Sequence, residues 1–263
     1  MVISYLYIDS TEIVKAIIVM ISIIIPAYNE EKRIDRALRQ LTSKFPNAQI
    51  IVVFEGNDKT PDIVRRYNRA VIEVNKVRLG KGGSIKKGIQ MSRSEKVLLI
   101  DADVPVSMTT VEEMLKQDAD MVLVNRVFRE QTYLRKFLHK AFKLTVKLFF
   151  PSLRDIKDFQ AGVKLVCRDK ALKVLDELII SDLLFDVNLI YAFKRRGYKI
   201  VQVTAEYHHD EVNSKISKDL MRVSILMFLS IVKLRMFYSP LRFIVYTNTF
   251  LKVQAKIIEF LRG

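Results

Sequence analysis

The chain has 263 residues, half of them hydrophobic, which is enough for a large domain with a substantial core and excludes an intrinsically disordered chain. Its 44 Lys and Arg outnumber 29 Asp and Glu, and the net charge of +15 calls for an anionic partner: nucleic acid, a phosphorylated substrate or an anionic membrane. A single cysteine, Cys167, excludes an internal disulfide, fits a reducing cytosol, and reads as buried filler in the apolar stretch from Val163.

Residues 1–19 read as an extension or a misassigned start, because Met20 directly precedes the first strand. The apolar run Ala16 to Ile25 is too short to cross a bilayer and lacks a basic n-region and a small-residue cleavage site. Ile21 to Ile25 is a buried strand that Pro26 should end, after which Asn29 caps a helix to about Leu41, with Glu30 and Glu31 at its positive end. Ile50 to Phe54 is the second strand, followed by the turn Glu55-Gly-Asn-Asp58 and a helix start at Thr60-Pro-Asp-Ile. Val71 to Val77 is a more polar third strand, and Gly80-Lys-Gly-Gly83 leads into a helix from about Ser84. Val97-Leu-Leu-Ile100 is apolar throughout, as in a parallel strand covered on both faces, and it runs into Asp101-Ala-Asp103. Strands alternating with helices predict an α/β fold with a mostly parallel sheet and right-handed crossovers.

Carboxylates at the carboxyl end of such a strand stand where open α/β sheets bind ligands. On an extended chain Asp101 and Asp103 point the same way, and two oxygen donors suit a hard cation that completes its shell with phosphates and water. Alone, the same residues also fit a solvated turn.

The second half is more basic. After a strand at Met121 to Val124, a helix over Tyr133 to Phe150 sets Lys136, Lys140, Lys143 and Lys147 against a stripe of Leu134, Leu138, Ala141 and Leu148. Residues 129–157 hold eight basic and two acidic residues, and residues 211–263 hold nine and three. The tail joins that charge to the apolar run Val223 to Val232, which Pro240 ends, and to a helix from Asn248 to Leu261 with Leu251, Ala255 and Ile258 set apart from Lys252, Lys256 and Arg262. Basic amphipathic helices of this kind lie in membrane interfaces, and packing into a core or a dimer is the alternative. The expected division is an extension at 1–19, a catalytic domain at 20–212 and membrane-associating helices at 213–263.

Six strings occur in a fixed order: SIIIPAYNEEKRI, IIVVFEGNDKT, LGKGGSIKKGI, VLLIDADVP, DFQAGVKL and FDVNLIYAFKRRGYKI. Together they resemble the inverting family-2 glycosyltransferases of GT-A fold, within them the dolichyl-phosphate mannose synthases and, more closely, the dolichyl-phosphate glucosyltransferases. The resemblance implies that Pro26, Tyr28, Glu30 and, at the second acidic position after the second strand, Glu55 contact the nucleotide, that Lys81 faces it, and that Asp101 and Asp103 hold a divalent metal, Mg²⁺ or Mn²⁺, on the diphosphate. It places Asp158 beside the reacting sugar, Arg126 and Arg135 on the acceptor phosphate, and Lys164 and Lys215 as further phosphate contacts. The chain departs from the pattern at Phe54, where relatives carry an acid before the position of Glu55, and at Pro105, where mannose synthases carry Gln. The donor implied is a nucleotide sugar, UDP-glucose or GDP-mannose, and the acceptor a polyprenyl or dolichyl phosphate at the inner face of the cell membrane. A saccharide acceptor is the main alternative. A sugar-phosphate nucleotidyltransferase is disfavoured because Pro26-Ala-Tyr-Asn29 stands where those enzymes carry a glycine-rich loop. No nucleic-acid motif is present, so nucleic acid is not the expected partner.

Overall fold

The computed structural model describes residues 21–127, 133–207 and 220–262. Its centre is a seven-stranded sheet of β1 (Ile21–Tyr28), β2 (Gln49–Glu55), β3 (Ala70–Val74), β4 (Lys96–Leu99), β5 (Met121–Val127), β6 (Lys164–Cys167) and β7 (Ile200–Glu206). The strands lie in the order β3-β2-β1-β4-β6-β5-β7, and only β6 runs antiparallel to its neighbours. The helices are α1 (Ile34–Lys44), α2 (Thr60–Val64), α3 (Gly80–Met91), α4 (Met108–Leu115), α5 (Tyr133–Phe149), α6 (Arg168–Lys173), α7 (Phe185–Arg195), α8 (Leu220–Phe237) and α9 (Asn248–Arg262).

Alternation along the strands builds two cores. Ile23, Ile25, Ile50, Val52 and Leu98 face α1 and α4, while Ile24, Ile51, Val53, Val97 and Leu99 face α3, α7 and α8. Covering both faces explains why the middles of these strands are nearly all apolar, with Ser22 of β1 a buried exception bonded to Gln49.

Strand β3 ends at Val74 and not Val77, β5 continues to Val127 past Val124, and three boundaries next to the site also differ from the sequence reading. Pro26 does not end β1, because pairing of β1 with β4 stops at Ile24 and the proline nitrogen points past the end of β4, where no N–H is needed. Asn29 does not cap α1, which begins at Ile34 with Arg33 before it. Its backbone is left-handed (φ 52°), its N–H donates to the Glu55 carbonyl, and its Oδ1 accepts from the Asn57 N–H, so it clips the β1 and β2 loops together. Helix α3 begins at Gly80, so Gly-Lys-Gly forms its first turn.

Cys167 is half-buried at the end of β6. In α5 the inward residues are Phe142, Val146 and Phe149, whereas Leu148 and Ala141 face water. Leu251 of α9 is also exposed, beside Lys252. No helix among the described residues is long and apolar enough to cross a membrane.

Candidate active site

At the carboxyl ends of β1, β2 and β4, a cavity of about 530 Å³ is lined by Pro26, Tyr28, Glu30, Glu55, Lys81 and Asp101 of the expected site. Arg78, Asp182 and, from α8, Val223, Leu226 and Met227 are among the other residues in its walls. Tyr28 presents its ring at the mouth, where the Arg78 guanidinium stacks 4.4 Å from the ring centroid. Glu30 pairs with Arg33 at 2.7 Å.

Glu55 is buried and turned to a structural task. Its carboxylate accepts from the N–H of Leu79 (3.0 Å) and Gly80 (3.2 Å) and from the Ser84 hydroxyl (2.8 Å), so it caps the first turn of α3. Gly80 takes φ +73°, and a Cβ there would stand 2.5 Å from the Ser181 carbonyl oxygen, which excludes a larger residue.

The first turn of α3 aims Lys81 at Asp101. The ammonium lies 3.1 Å from Asp101 Oδ1 and 3.3 Å from Asp186 Oδ2, and Asp186 Oδ1 lies 2.9 Å from Lys164. Burial works against each of these charges, but Asp101 and Asp186 together hold the Lys81 ammonium above its ordinary value. Asp186 is held below the usual carboxylate range by Lys164 and Lys81, against its burial. Burial and then the Asp186 and Asp103 charges raise Asp101, while Lys81 opposes the rise. Lys164 is not open to a phosphate: its ammonium is buried on Asp186 and on the Ala161 carbonyl, and burial lowers its pKa.

Strand β4 ends at Leu99, so Asp101 and Asp103 sit in a turn and not on an extended strand. The Val104 N–H donates to the Asp101 carbonyl at 3.1 Å, and Val104 has φ +46°. That conformation is costly for a β-branched residue, and strain of this kind clusters at ligand sites. Both carboxylates act electrostatically on Tyr207, whose hydroxyl accepts the Gly162 N–H at 3.0 Å. Among the described residues no group of three or more His, Cys, Asp or Glu converges on a metal position. Two carboxylates, one of them facing the cavity, nevertheless fit Mg²⁺ or Mn²⁺, hard cations that take diphosphate and water oxygens as their remaining ligands.

Arg126 and Asp158 meet each other. The guanidinium forks onto the carboxylate, Nε to Oδ2 at 2.5 Å and a terminal nitrogen to Oδ1 at 2.9 Å, and the Gln160 N–H adds a bond to Oδ1 at 3.0 Å. Burial pushes Asp158 up, but these bonds outweigh it and keep the group ionised. The Arg135 side chain and Lys215 lie outside the described residues. Asp186, Arg78, Tyr207 and the α8 wall were not among the expected site residues. Only Asp186 left a signal, a carboxylate inside the apolar run Phe185 to Phe193.

The fold and the sequence have known counterparts. Glucosyl-3-phosphoglycerate synthase from Mycobacterium tuberculosis, solved with Mn²⁺, UDP-glucose and phosphoglyceric acid, superposes with a TM-score of 0.64 at 18% identity, covering 84% of this chain and 82% of that one. A dolichyl-phosphate beta-glucosyltransferase of Homo sapiens is 32% identical over 65% of this chain and 62% of its own length. Its namesake in Mus musculus is 29% identical over 71% of this chain and 67% of its own length. The sequence profile described as Glycosyl transferase family 2 matches residues 22–175, more than half of the chain. The chain belongs to glycosyl transferase family 2.

Proposed function

We propose that the protein transfers a hexose, glucose by preference, from its nucleoside diphosphate to a polyprenyl phosphate of the dolichyl type, with inversion at the anomeric carbon. The observation that carries the choice of acceptor is the Arg126–Asp158 fork. The carboxylate expected beside the sugar is ionised and bonded through both oxygens, so it is not poised to take a proton near neutral pH. A saccharide hydroxyl needs such a base. A phosphate monoester, with a second pKa of about 6, is already a dianion and does not.

One acceptor oxygen attacks the anomeric carbon while the bond from that carbon to the diphosphate breaks, and the departing diphosphate keeps the electron pair. Lys81 and the stacked Tyr28–Arg78 pair hold the donor, and Arg126 adds positive charge beside Asp158. Asp101 and Asp103 are the residues that would hold Mg²⁺ or Mn²⁺, whose contribution is charge to offset the leaving diphosphate. We place the protein on the cytosolic face of the membrane as a peripheral protein, with residues 213–263 among its membrane-associating parts.

The test offers labelled UDP-glucose and GDP-mannose with dolichyl phosphate or a free sugar as acceptor. Label should pass from UDP-glucose to the lipid, and Asp103→Ala should lower transfer by roughly 100-fold. Label appearing only in a water-soluble saccharide refutes the reading.

A further inference from the structure

Helix α5 buries one face and leaves a second apolar face in water. Tyr133, Phe137, Leu144 and Leu148 are 92, 68, 70 and 74% exposed. At the helical repeat these four positions fall within about 60° of arc. Lys136, Lys140, Lys143 and Lys147 follow one border of that stripe, and residues 133–149 contain no Asp or Glu. Helix α8 carries the patch further with Ile225, Phe228 and Leu229, all partly exposed, and the Phe149 ring meets Phe228 edge-on at 6.0 Å, joining the two helices. The opposite side of α8 sends Ile231 and Leu234 into the core, while its residues Val223, Leu226 and Met227 wall the donor cavity.

We propose that the outward faces of α5 and α8 form one docking surface for an anionic lipid bilayer, with α8 serving both as membrane contact and as wall of the donor cavity. The proposal rests on the reading of the acceptor as a lipid phosphate and assigns that reading a surface and an orientation. Apolar side chains bordered by lysines match the two layers of such a bilayer, acyl chains beneath phosphates. A second copy of the chain fits worse, because a two-fold contact through this face would bring the same four lysines of each copy together. Nucleic acid would meet the lysines but leave the aromatic and leucine stripe between them in water.

The sequence contains no tryptophan, so single substitutions report locally. Phe137→Trp and Phe228→Trp should both shift to the blue, and be quenched by brominated lipid, when vesicles of phosphatidylcholine with phosphatidylglycerol are added. Val71→Trp, on exposed edge strand β3, should not respond. Lys140→Gln with Lys143→Gln should weaken vesicle binding by roughly 30-fold. Two results overturn the surface: silence of both reporters in natively folded protein, or a blue shift without lipid that grows with protein concentration, which marks a second copy on this face. Transfer to a short-chain, water-soluble polyprenyl phosphate is measured alongside. Full transfer with silent reporters refutes the surface alone, whereas responding reporters without transfer to any lipid phosphate uphold the surface and refute the reaction.

Discussion

A Cβ built on Gly162 would stand 1.8 Å from Oδ2 of Asp101 and 3.1 Å from the Tyr207 oxygen. Gly162→Ala therefore acts as a wedge against the carboxylate proposed to hold the cation. A displacement of about 1 Å at a reacting centre can cost 10²-fold, so transfer should fall by that order while the far-UV spectrum stays native. A Mn²⁺ titration by calorimetry should show weakened binding, and unaltered affinity and rate would remove Asp101 from the site. The acids at 101 and 103 were readable in the sequence because an apolar strand runs straight into them. Their surroundings were not. Lys81 meets Asp186 across 105 positions, and Arg126 meets Asp158 across 32, and no local pattern announces a pair brought together only by the fold.

Helix α5 shows how far a periodic signal reaches. The lysine row was readable from its spacing, but the helix has apolar residues on two faces, and periodicity cannot say which of them meets the core. The structure answers with Phe142, Val146 and Phe149. Val146→Ala, at a fully buried position, should lower unfolding stability by about 2 kcal/mol, and Leu148→Ala, 74% exposed, should change it by less than about 0.5 kcal/mol. Urea denaturation of the two variants measures both, and equal losses would mean that the inward face is misassigned. The start of α1 was misread for a related reason. Asn29 has the composition of a cap, but its side chain is engaged across the loop with Asn57, which lies 28 residues away.

Across the whole molecule, the alternating strands and helices made the parallel sheet readable, and the antiparallel β6 escaped because direction depends on the connection and not on composition. Two buried carboxylates, Asp158 and Asp186, are held below the usual range by their cationic partners, after opposing burial. Unfolded carboxylates titrate near about 3.9, so the folded values lie lower, and the stability they confer is present above about pH 4 and lost as pH falls through the folded values. Asp101, held above its ordinary value, works in the opposite sense. Urea midpoints should therefore hold above about pH 4 and drop as pH falls below it, by roughly the effect of one to two protons. Asp158→Asn should flatten that drop and cost about 3–5 kcal/mol at neutral pH by leaving Arg126 buried beside an uncharged group. A pH-independent midpoint would contradict the ion pairing.

Helix α8 has a consequence for how the reactants find each other. Because one of its sides walls the donor cavity and another faces outward, the cavity lies about one helix diameter, roughly 10 Å, from whatever covers that outer face. With a bilayer there and the proposed reactants, a sugar nucleotide would arrive from bulk solution while a lipid phosphate would slide in from the side. The acceptor's supply is then counted per unit area of membrane, and diluting the bulk solution changes the encounter with the donor alone.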